Sequence, residues 1–428
     1  MSSQESSQEP TSQLPSQFQS NTLSVFGNEL GSQIIEAMSK PSTTVSIRLN
    51  PNSTTDNYNP QFELSSKIPW CENAFYLDVR PNFKDDPDFQ NGCYYPQESS
   101  SMVVNWLVNQ LLKTNVIDFA LDLCASPGGK SQIVADCIAS NNGLLISNEV
   151  EPFRNQTLVS NMLKWNNDNV ICTRHKADQF ADGINDLKEF FDLILVDAPC
   201  SGEGMFRKEP QALEHWSPKN IEICANRQKQ ILFDVFDSLK VGGHIIYSTC
   251  TLNKSENEDI INWLTSTLPT QIVQFENLPE DSEHQFLTLQ DGCYRLIPPF
   301  SKGEGFFCCV VLKLGNFQRD ENYEDEQQLW KQLKGRKLKN DFFKRQKQVK
   351  NVFHVEKKQQ IINAFQELHP EVNFHDKSLI CVNSMDYFLI KNCWLEVFMD
   401  RLSQLKITKH LIPLGSIRAR DLKTIKKF

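Results

Sequence analysis

No stretch of the 428 residues is both apolar and long enough to cross a membrane. The N-terminus, rich in Ser and Gln, has no basic segment followed by an apolar one, so no secretory leader is expected either. A cytoplasmic protein without a membrane partner follows as the expectation. The thirteen cysteines contain no Cys-x-x-Cys pair, which indicates neither a disulfide framework nor a zinc site; no metal is expected, and most thiols should lie buried in a reducing compartment. The three-glycine pyrophosphate fingerprint and the Walker-type lysine are also missing. Positive charge is short overall, at a formal net −9, and this speaks against a nucleic-acid partner until its distribution is considered.

The charge is divided unevenly. Residues 331–428 carry 21 Lys and Arg against 9 Asp and Glu, and the remainder carries 23 against 44. A basic appendage on an acidic body has the electrostatic footprint of RNA or DNA binding, although a solvated lysine-rich helix explains residues 331–350 equally well. Apolar residues make up 39% of the chain and charged residues 23%, an ordinary globular composition, and the length suffices for two or three domains.

The chain is organised around residues 121–130, Leu-Asp-Leu-Cys-Ala-Ser-Pro-Gly-Gly-Lys. An apolar run at 116–123 stops at Pro127-Gly128-Gly129 and a helical pattern starts at Lys130, which reads as strand, tight turn and helix start. Glycines there let backbone N–H groups approach a ligand, as at dinucleotide sites on open α/β sheets. Glu149 follows the next apolar segment at the offset where a ribose diol is held. With no phosphate fingerprint, a nucleoside without phosphates fits better. S-adenosylmethionine is such a ligand, and Asp122, Glu149, Asp178 and Asp197 would suit its cationic groups. Two cysteines stand in loops after strand-like segments: Cys200 in Asp-Ala-Pro-Cys-Ser-Gly and Cys250 in Tyr-Ser-Thr-Cys-Thr. An arbitrary cysteine in such a place is usually a small buried hydrophobe, and Cys137, Cys172, Cys224, Cys308 and Cys309 are assigned to the core on that ground.

Taken together, the motif at 121–130, Asp-Ala-Pro-Cys-Ser-Gly-Glu-Gly-Met-Phe-Arg-Lys at 197–208 and Tyr-Ser-Thr-Cys-Thr-Leu-Asn at 247–253 resemble those of the Nol1/Nop2/Sun family of RNA cytosine-5 methyltransferases. The nearest subgroup is the bacterial 16S rRNA methyltransferase F type, and the resemblance covers roughly residues 45–314. It implies that Cys250 is the nucleophile and that Cys200 breaks the covalent adduct. It also implies that S-adenosylmethionine is held by Cys124, Ala125, Ser126, Pro127, Gly128, Gly129, Lys130, Glu149, Asp178 and Asp197, with Asp178 receiving the adenine amino group. Arg48 and Asn50 become candidate RNA contacts, with an ordinary edge strand as the alternative. Arg207, Lys208 and Trp216 become candidates for gripping a flipped-out base and its phosphates. Such chemistry needs a thiol because carbon 5 of cytosine is a poor nucleophile until a thiolate has added to carbon 6, and a thiolate both attacks and leaves readily. The base must also leave its stack, so single-stranded or locally opened RNA is expected.

The expected substrate is rRNA, with tRNA possible, and a monomer is expected. DNA cytosine-5 methylation is a rival, but those enzymes follow the Pro-Cys nucleophile with a Glu-Asn-Val segment that is not found here. An rRNA-binding assembly factor with an inert methyltransferase fold is another; the intact cysteines and turn argue against it.

Strand and helix patterns alternate from residue 116 to 314, which predicts a mostly parallel sheet covered on both faces. The fold class expected is α/β: a Rossmann-like methyltransferase sheet with a small N-terminal α/β module and a small β-rich C-terminal domain. The expected divisions are a disordered tail at 1–20, an RNA-facing N-terminal module at 21–97 and the S-adenosylmethionine-dependent methyltransferase domain at 98–316. An acidic linker at 317–330 and a basic RNA-binding domain at 331–428 complete them. Ser99 or Ser100 is the expected cap of the helix that opens the catalytic domain.

Overall fold

A computed structural model describes residues 14–53, 62–181, 187–279 and 285–317, together with the strand backbones at 377–382, 386–391, 407–410 and 417–418. The expected acidic linker lies, from residue 318 onward, outside the described residues.

The N-terminal module opens with helix α1 (Ser16–Met38), which breaks at Gly27, where φ is 76°. Its buried residues Phe18, Thr22 and Phe26, and then Ile34 and Met38, recur every fourth position and give it one buried stripe. Residues 14–20 therefore depart from the expected disordered tail. Polar neighbours dilute the apolar signal, yet Leu14 and Phe18 are 5% and 1% exposed, and the Phe18 ring packs edge-on against Phe206 and Trp216. Strands β1 (Val45–Leu49), β2 (Lys67–Ile68), β3 (Cys71–Leu77) and β4 (Tyr94–Pro96) form an antiparallel sheet in the order β2-β3-β1-β4. Helix α2 (Pro87–Gln90) is capped by Asp86, whose other carboxylate oxygen accepts from the Tyr94 hydroxyl at 2.6 Å.

The lead-in to the catalytic domain ends in a 3-10 turn and helix α3 (Val103–Leu112). Neither Ser99 nor Ser100 caps it. Glu98 instead caps the 3-10 turn that leads into it, accepting from the backbone N–H groups of Ser100 and Ser101 at 3.0 and 2.8 Å, because a longer carboxylate reaches two donors at once.

The central sheet takes β5 (Phe119–Asp122), β6 (Leu144–Asn148), β7 (Val170–Thr173), β8 (Phe191–Asp197) and β9 (Leu239–Thr249) as its parallel core. Helices α4 (Gly129–Ala139), α5 (Pro152–Trp165), α6 (Asp178–Ala181), α7 (Pro210–His215), α8 (Pro218–Val235) and α9 (Glu258–Thr267) alternate with these strands. Strands β10 (Thr270–Val273), β11 (Leu287–Gln290), β12 (Cys293–Leu296) and β13 (Phe306–Lys313) add antiparallel members, with β13 running antiparallel to β9. The β11–β12 pair is an addition to the expected strands. Its Asp291-Gly292 turn, with Gly292 at φ 75°, is a hairpin signal between segments too short to stand out alone.

Burial on both faces explains the near-continuous apolar strands. Along β8, Leu193 and Leu195 join the cluster containing α3, α4 and α5, and Ile194 and Val196 join the opposite cluster with Leu232 and Ile260 of α8 and α9. The chain runs β5-β6-β7 to one side, then returns to place β8 and β9 on the other. The resulting switch point between β5 and β8 leaves a crevice at the carboxyl ends of the strands, where open α/β sheets bind ligands.

Toward the C-terminus, β14 (Lys377–Val382) pairs antiparallel with β15 (Asp386–Lys391), which also pairs with β17 (Ile417–Arg418). Strand β16 (Ile407–His410) instead pairs antiparallel with β7 and extends the central sheet by one edge strand. Among the described residues no helix is long and apolar enough to cross a membrane.

Candidate active site

The turn after β5 is built so that only glycine serves at its centre. Gly128 has φ 115°, and a Cβ there would stand 3.2 Å from Leu158 Cδ1, while a Cβ on Gly129 would lie 3.0 Å from Tyr95 and Gln97. The turn is pinned from outside: Asn161 donates to the Pro127 carbonyl at 2.8 Å, Arg154 to the Ser126 carbonyl at 2.9 Å, and the Ser126 hydroxyl to the Arg154 carbonyl at 2.8 Å. Ala125 donates its N–H to the Asn148 carbonyl at 2.9 Å. Residues 125–127 are thus tied to α5 and β6 at the carboxyl end of β5.

Three carboxylates surround it. Asp122 is fully buried; Ser131 donates to one oxygen at 2.6 Å, and among the described residues the other has no hydrogen-bond partner. Burial, opposed by the Ser131 donation but reinforced by the charge of Asp197, pushes its carboxyl up to about 7. Glu149 is 3% exposed, and its Oε2 also lacks a hydrogen bond, with Arg154 3.6 Å away. Burial and the charges of Asp122, Glu149 and Asp197 together push the Cys124 thiol far up, so this cysteine does not present a thiolate. Two orphaned, buried carboxylate oxygens beside a glycine turn call for a ligand with hydroxyl donors and positive charge. S-adenosylmethionine would meet both demands: Glu149 could hold its ribose diol and Asp122 could face its cationic groups. Asp178 opens α6 and is exposed.

At the neighbouring strand ends stand the two cysteines. Their Sγ atoms are 3.3 Å apart, and both are half-buried. Two thiols this close cannot both ionise. Hydrogen bonding to Cys250, then burial, then the charges of Cys250 and Glu256 hold the Cys200 thiol well above its usual range. Asp197 ends β8 three residues before Cys200. Lys130 Nζ lies 2.9 Å from its Oδ2, and Ser248 donates to its Oδ1 at 2.8 Å. Burial alone would lower the Lys130 ammonium, but Asp197, Cys250 and Asp122 offset it and raise the net value. The same ammonium sits 5.1 Å from the Phe306 ring centre.

Several expected RNA contacts are structural instead. Arg48 is 3% exposed: it bonds Asp136 and Gln132 at 2.8 Å each and lies 4.3 Å over the Trp165 ring. Asn50 donates to the carbonyls of Gly92 and Trp165. Both fasten the N-terminal module to the catalytic domain. Trp216 is buried against Phe18 and Phe206 and donates to Glu203 at 3.0 Å, so it cannot stack on a base. Arg207 and Lys208 pair with the buried Glu304 at 3.4 and 3.2 Å.

Sequence reasoning passed over Glu203 and Asn253, although both stand inside the quoted motifs, three residues after Cys200 and Cys250. It also passed over Glu256 and Arg295. Arg295 is fully buried, pairs bidentately with Glu258, and donates to the Leu252 carbonyl at 2.7 Å. Nothing local marks either residue. Among the described residues no group of three or more His, Cys, Asp or Glu could hold a metal ion.

The comparisons agree with this architecture. The pattern described as "16S rRNA methyltransferase RsmB/F" matches residues 109–312, and that described as "N-terminal domain of 16S rRNA methyltransferase RsmF" matches residues 14–99. Ribosomal RNA small subunit methyltransferase F of Pectobacterium carotovorum is 36% identical over 254 residues, covering 58% of this chain and 50% of that protein. Its counterpart in Vibrio cholerae is 35% identical over 259 residues, covering 59% and 53%. The chain thus matches about half the length of these curated relatives. Among solved structures, a methyltransferase homologue from Pyrococcus horikoshii superposes with a TM-score of 0.56 at 25% identity, covering 69% of this chain and 94% of the other. NSun6 from Pyrococcus horikoshii, solved with SFG, shares the fold with a TM-score of 0.59 at 19% identity, covering 71% of this chain and 99% of the other. Two patterns of one family, matched in tandem over about two thirds of the chain, and a Rossmann-like sheet with paired thiols at its switch point lead to one conclusion: the chain belongs to the 16S rRNA methyltransferase RsmB/F family.

Proposed function

We propose that this protein is an RNA cytosine-5 methyltransferase that uses S-adenosylmethionine and acts on rRNA through a covalent cysteine adduct. The observation that carries the reading is the 3.3 Å separation of the Cys200 and Cys250 sulfurs beside Asp197 and the acidic nucleoside site. A single-step alkylation has no use for two adjoining thiols. When bound, S-adenosylmethionine supplies an electrophilic methyl group.

The protein's own residues do the rest. Cys250 adds its sulfur to carbon 6 of the cytosine, which makes carbon 5 electron-rich. Asp197, held by Lys130 and Ser248, faces the polar edge of the base. Cys200, kept protonated while Cys250 is the anion, is spared as a competing nucleophile. Once the Cys250 sulfur is bonded to carbon 6 and carbon 5 has gained its methyl group, Cys200 releases its proton to solvent and, as the thiolate, takes the carbon-5 proton. The electron pair of that C–H bond restores the ring double bond as the Cys250 sulfur departs. Glu149 would hold the ribose diol, residues 124–130 would line the cofactor, and Asp178 is assigned to the adenine amino group. The basic region 331–428 is proposed as a further RNA contact, a role its charge supports.

Radiolabelled methyl transfer to bacterial 16S rRNA, unmodified tRNA and cytosine-containing DNA, followed by bisulfite mapping, tests the assignment. Label at a bisulfite-resistant cytosine of the rRNA is expected. Incorporation confined to DNA, or into a base other than cytosine, contradicts it.

A further inference from the structure

We propose that Glu203 and Glu256 are positioning residues that fix the separation of the two thiols, each riding on one cysteine loop while gripping the other. The role assumes the two-thiol chemistry above, though the grip itself is geometric. Glu203 lies in the loop of Cys200. Its Oε2 accepts from the Thr251 hydroxyl, the Leu252 N–H and the Asn253 N–H, each at 2.8 Å, and these three residues follow Cys250 directly. Glu256 lies in the loop of Cys250. It accepts from the Ser201 N–H at 3.0 Å and the Ser201 hydroxyl at 2.5 Å, the residue next to Cys200. The hydroxyls of Ser201 and Thr251 then meet at 2.9 Å between the two carboxylates.

The loops approach too closely for slack. Gly204 donates its N–H to the carbonyl of Cys250 itself at 2.9 Å, and a Cβ on Gly204 would stand 2.8 Å from that oxygen. Glu256 is held from behind by Gln228 at 2.9 Å and Asn253 at 2.8 Å.

A merely structural junction would not be built this way. Glu203 and Glu256 are 1% and 0% exposed, and among the described residues neither forms an ion pair. Burying unpaired carboxylates is costly, and apolar packing would fill the space more favourably. What the carboxylates supply instead is direction: charge-assisted hydrogen bonds to backbone donors, which fix main-chain position more tightly than packing does. Each sulfur is thereby placed by a residue of the other's loop, so the pair moves as a unit.

Oxidative cross-linking reads the separation without RNA or cofactor. Diamide takes two electrons and two protons from the thiols, leaving a Cys200–Cys250 disulfide and the reduced hydrazine, and the linked peptides are counted by mass spectrometry. Glu203→Gln and Glu256→Gln, in the full chain, are each expected to slow this reaction at least fivefold. They are also expected to lower kcat for RNA methylation at least tenfold, with KM for S-adenosylmethionine within twofold of the parent. The sign is decisive, since removing a negative charge alone favours the thiolate and would accelerate oxidation. Cross-linking at the parent rate or faster overturns the proposal. Where a Gln variant does not fold, Thr251→Val, which removes one hydroxyl donor to Glu203, takes its place with about threefold slowing expected and the same contrary result. If the parent cross-links rapidly but methylates no RNA, the functional reading fails while the cross-linking rates still judge the grip.

Discussion

Lys130 and Asp197, 67 positions apart in sequence, meet at 2.9 Å across the switch point of the central sheet. One ends the glycine turn and the other opens the loop of the first cysteine, so the contact couples that turn to the thiols. Lys130→Met is expected to leave Asp197 without its counter-charge and to weaken S-adenosylmethionine binding at least tenfold. Isothermal titration calorimetry measures this, and an unchanged affinity would mean the pair is only structural.

Asp122 gives a pH signature. Its carboxyl sits at about 7 in the folded protein, through burial first, and near 4 when unfolded, so in that window the folded state keeps a proton the unfolded state has lost. Stability from this group is therefore highest at the acid end and declines as pH rises toward about 7. Asp122→Asn should flatten that slope in urea titrations repeated across the range. A cationic ligand nearby favours the ionised form, so binding near pH 7 should release a proton. Calorimetry in two buffers of different ionisation enthalpy detects that release.

Arg48 is placed to test the difference between a strut and an RNA contact. Arg48→Ala leaves Asp136 buried without its partner, which is expected to cost about 3–5 kcal/mol of stability. The salt dependence of RNA binding should be unchanged, whereas loss of a phosphate contact would reduce its slope by about 1. Unfolding curves and RNA affinities at several salt concentrations separate the two.

How much of this was legible in the sequence depends on where each residue's partner lies. The glycine turn was readable because Pro127-Gly128-Gly129 announces a backbone that other residues cannot easily adopt, with Gly128 at φ 115°. The cysteines were readable because their flanking motifs set them apart from eleven others. Arg48 was not, since a strand arginine looks the same whether it faces RNA or a buried aspartate 88 residues away. Phe18 was hidden by the Ser and Gln around it, and Trp216 by the basic residues near it. Glu256 takes its place through Ser201, 55 residues earlier, and Gln228, contacts that only the folded sheet creates.

The central claim is that the two sulfurs divide the reaction between them, and one paired measurement tests it most directly. Cys250→Ala and Cys200→Ala proteins are incubated with unmodified rRNA and S-adenosylmethionine, then resolved on denaturing gels. Cys250→Ala is expected to transfer no methyl groups and to form no adduct, and Cys200→Ala to accumulate an RNA–protein band that survives denaturation. Full turnover by Cys250→Ala, or an adduct that forms without it, would contradict the account.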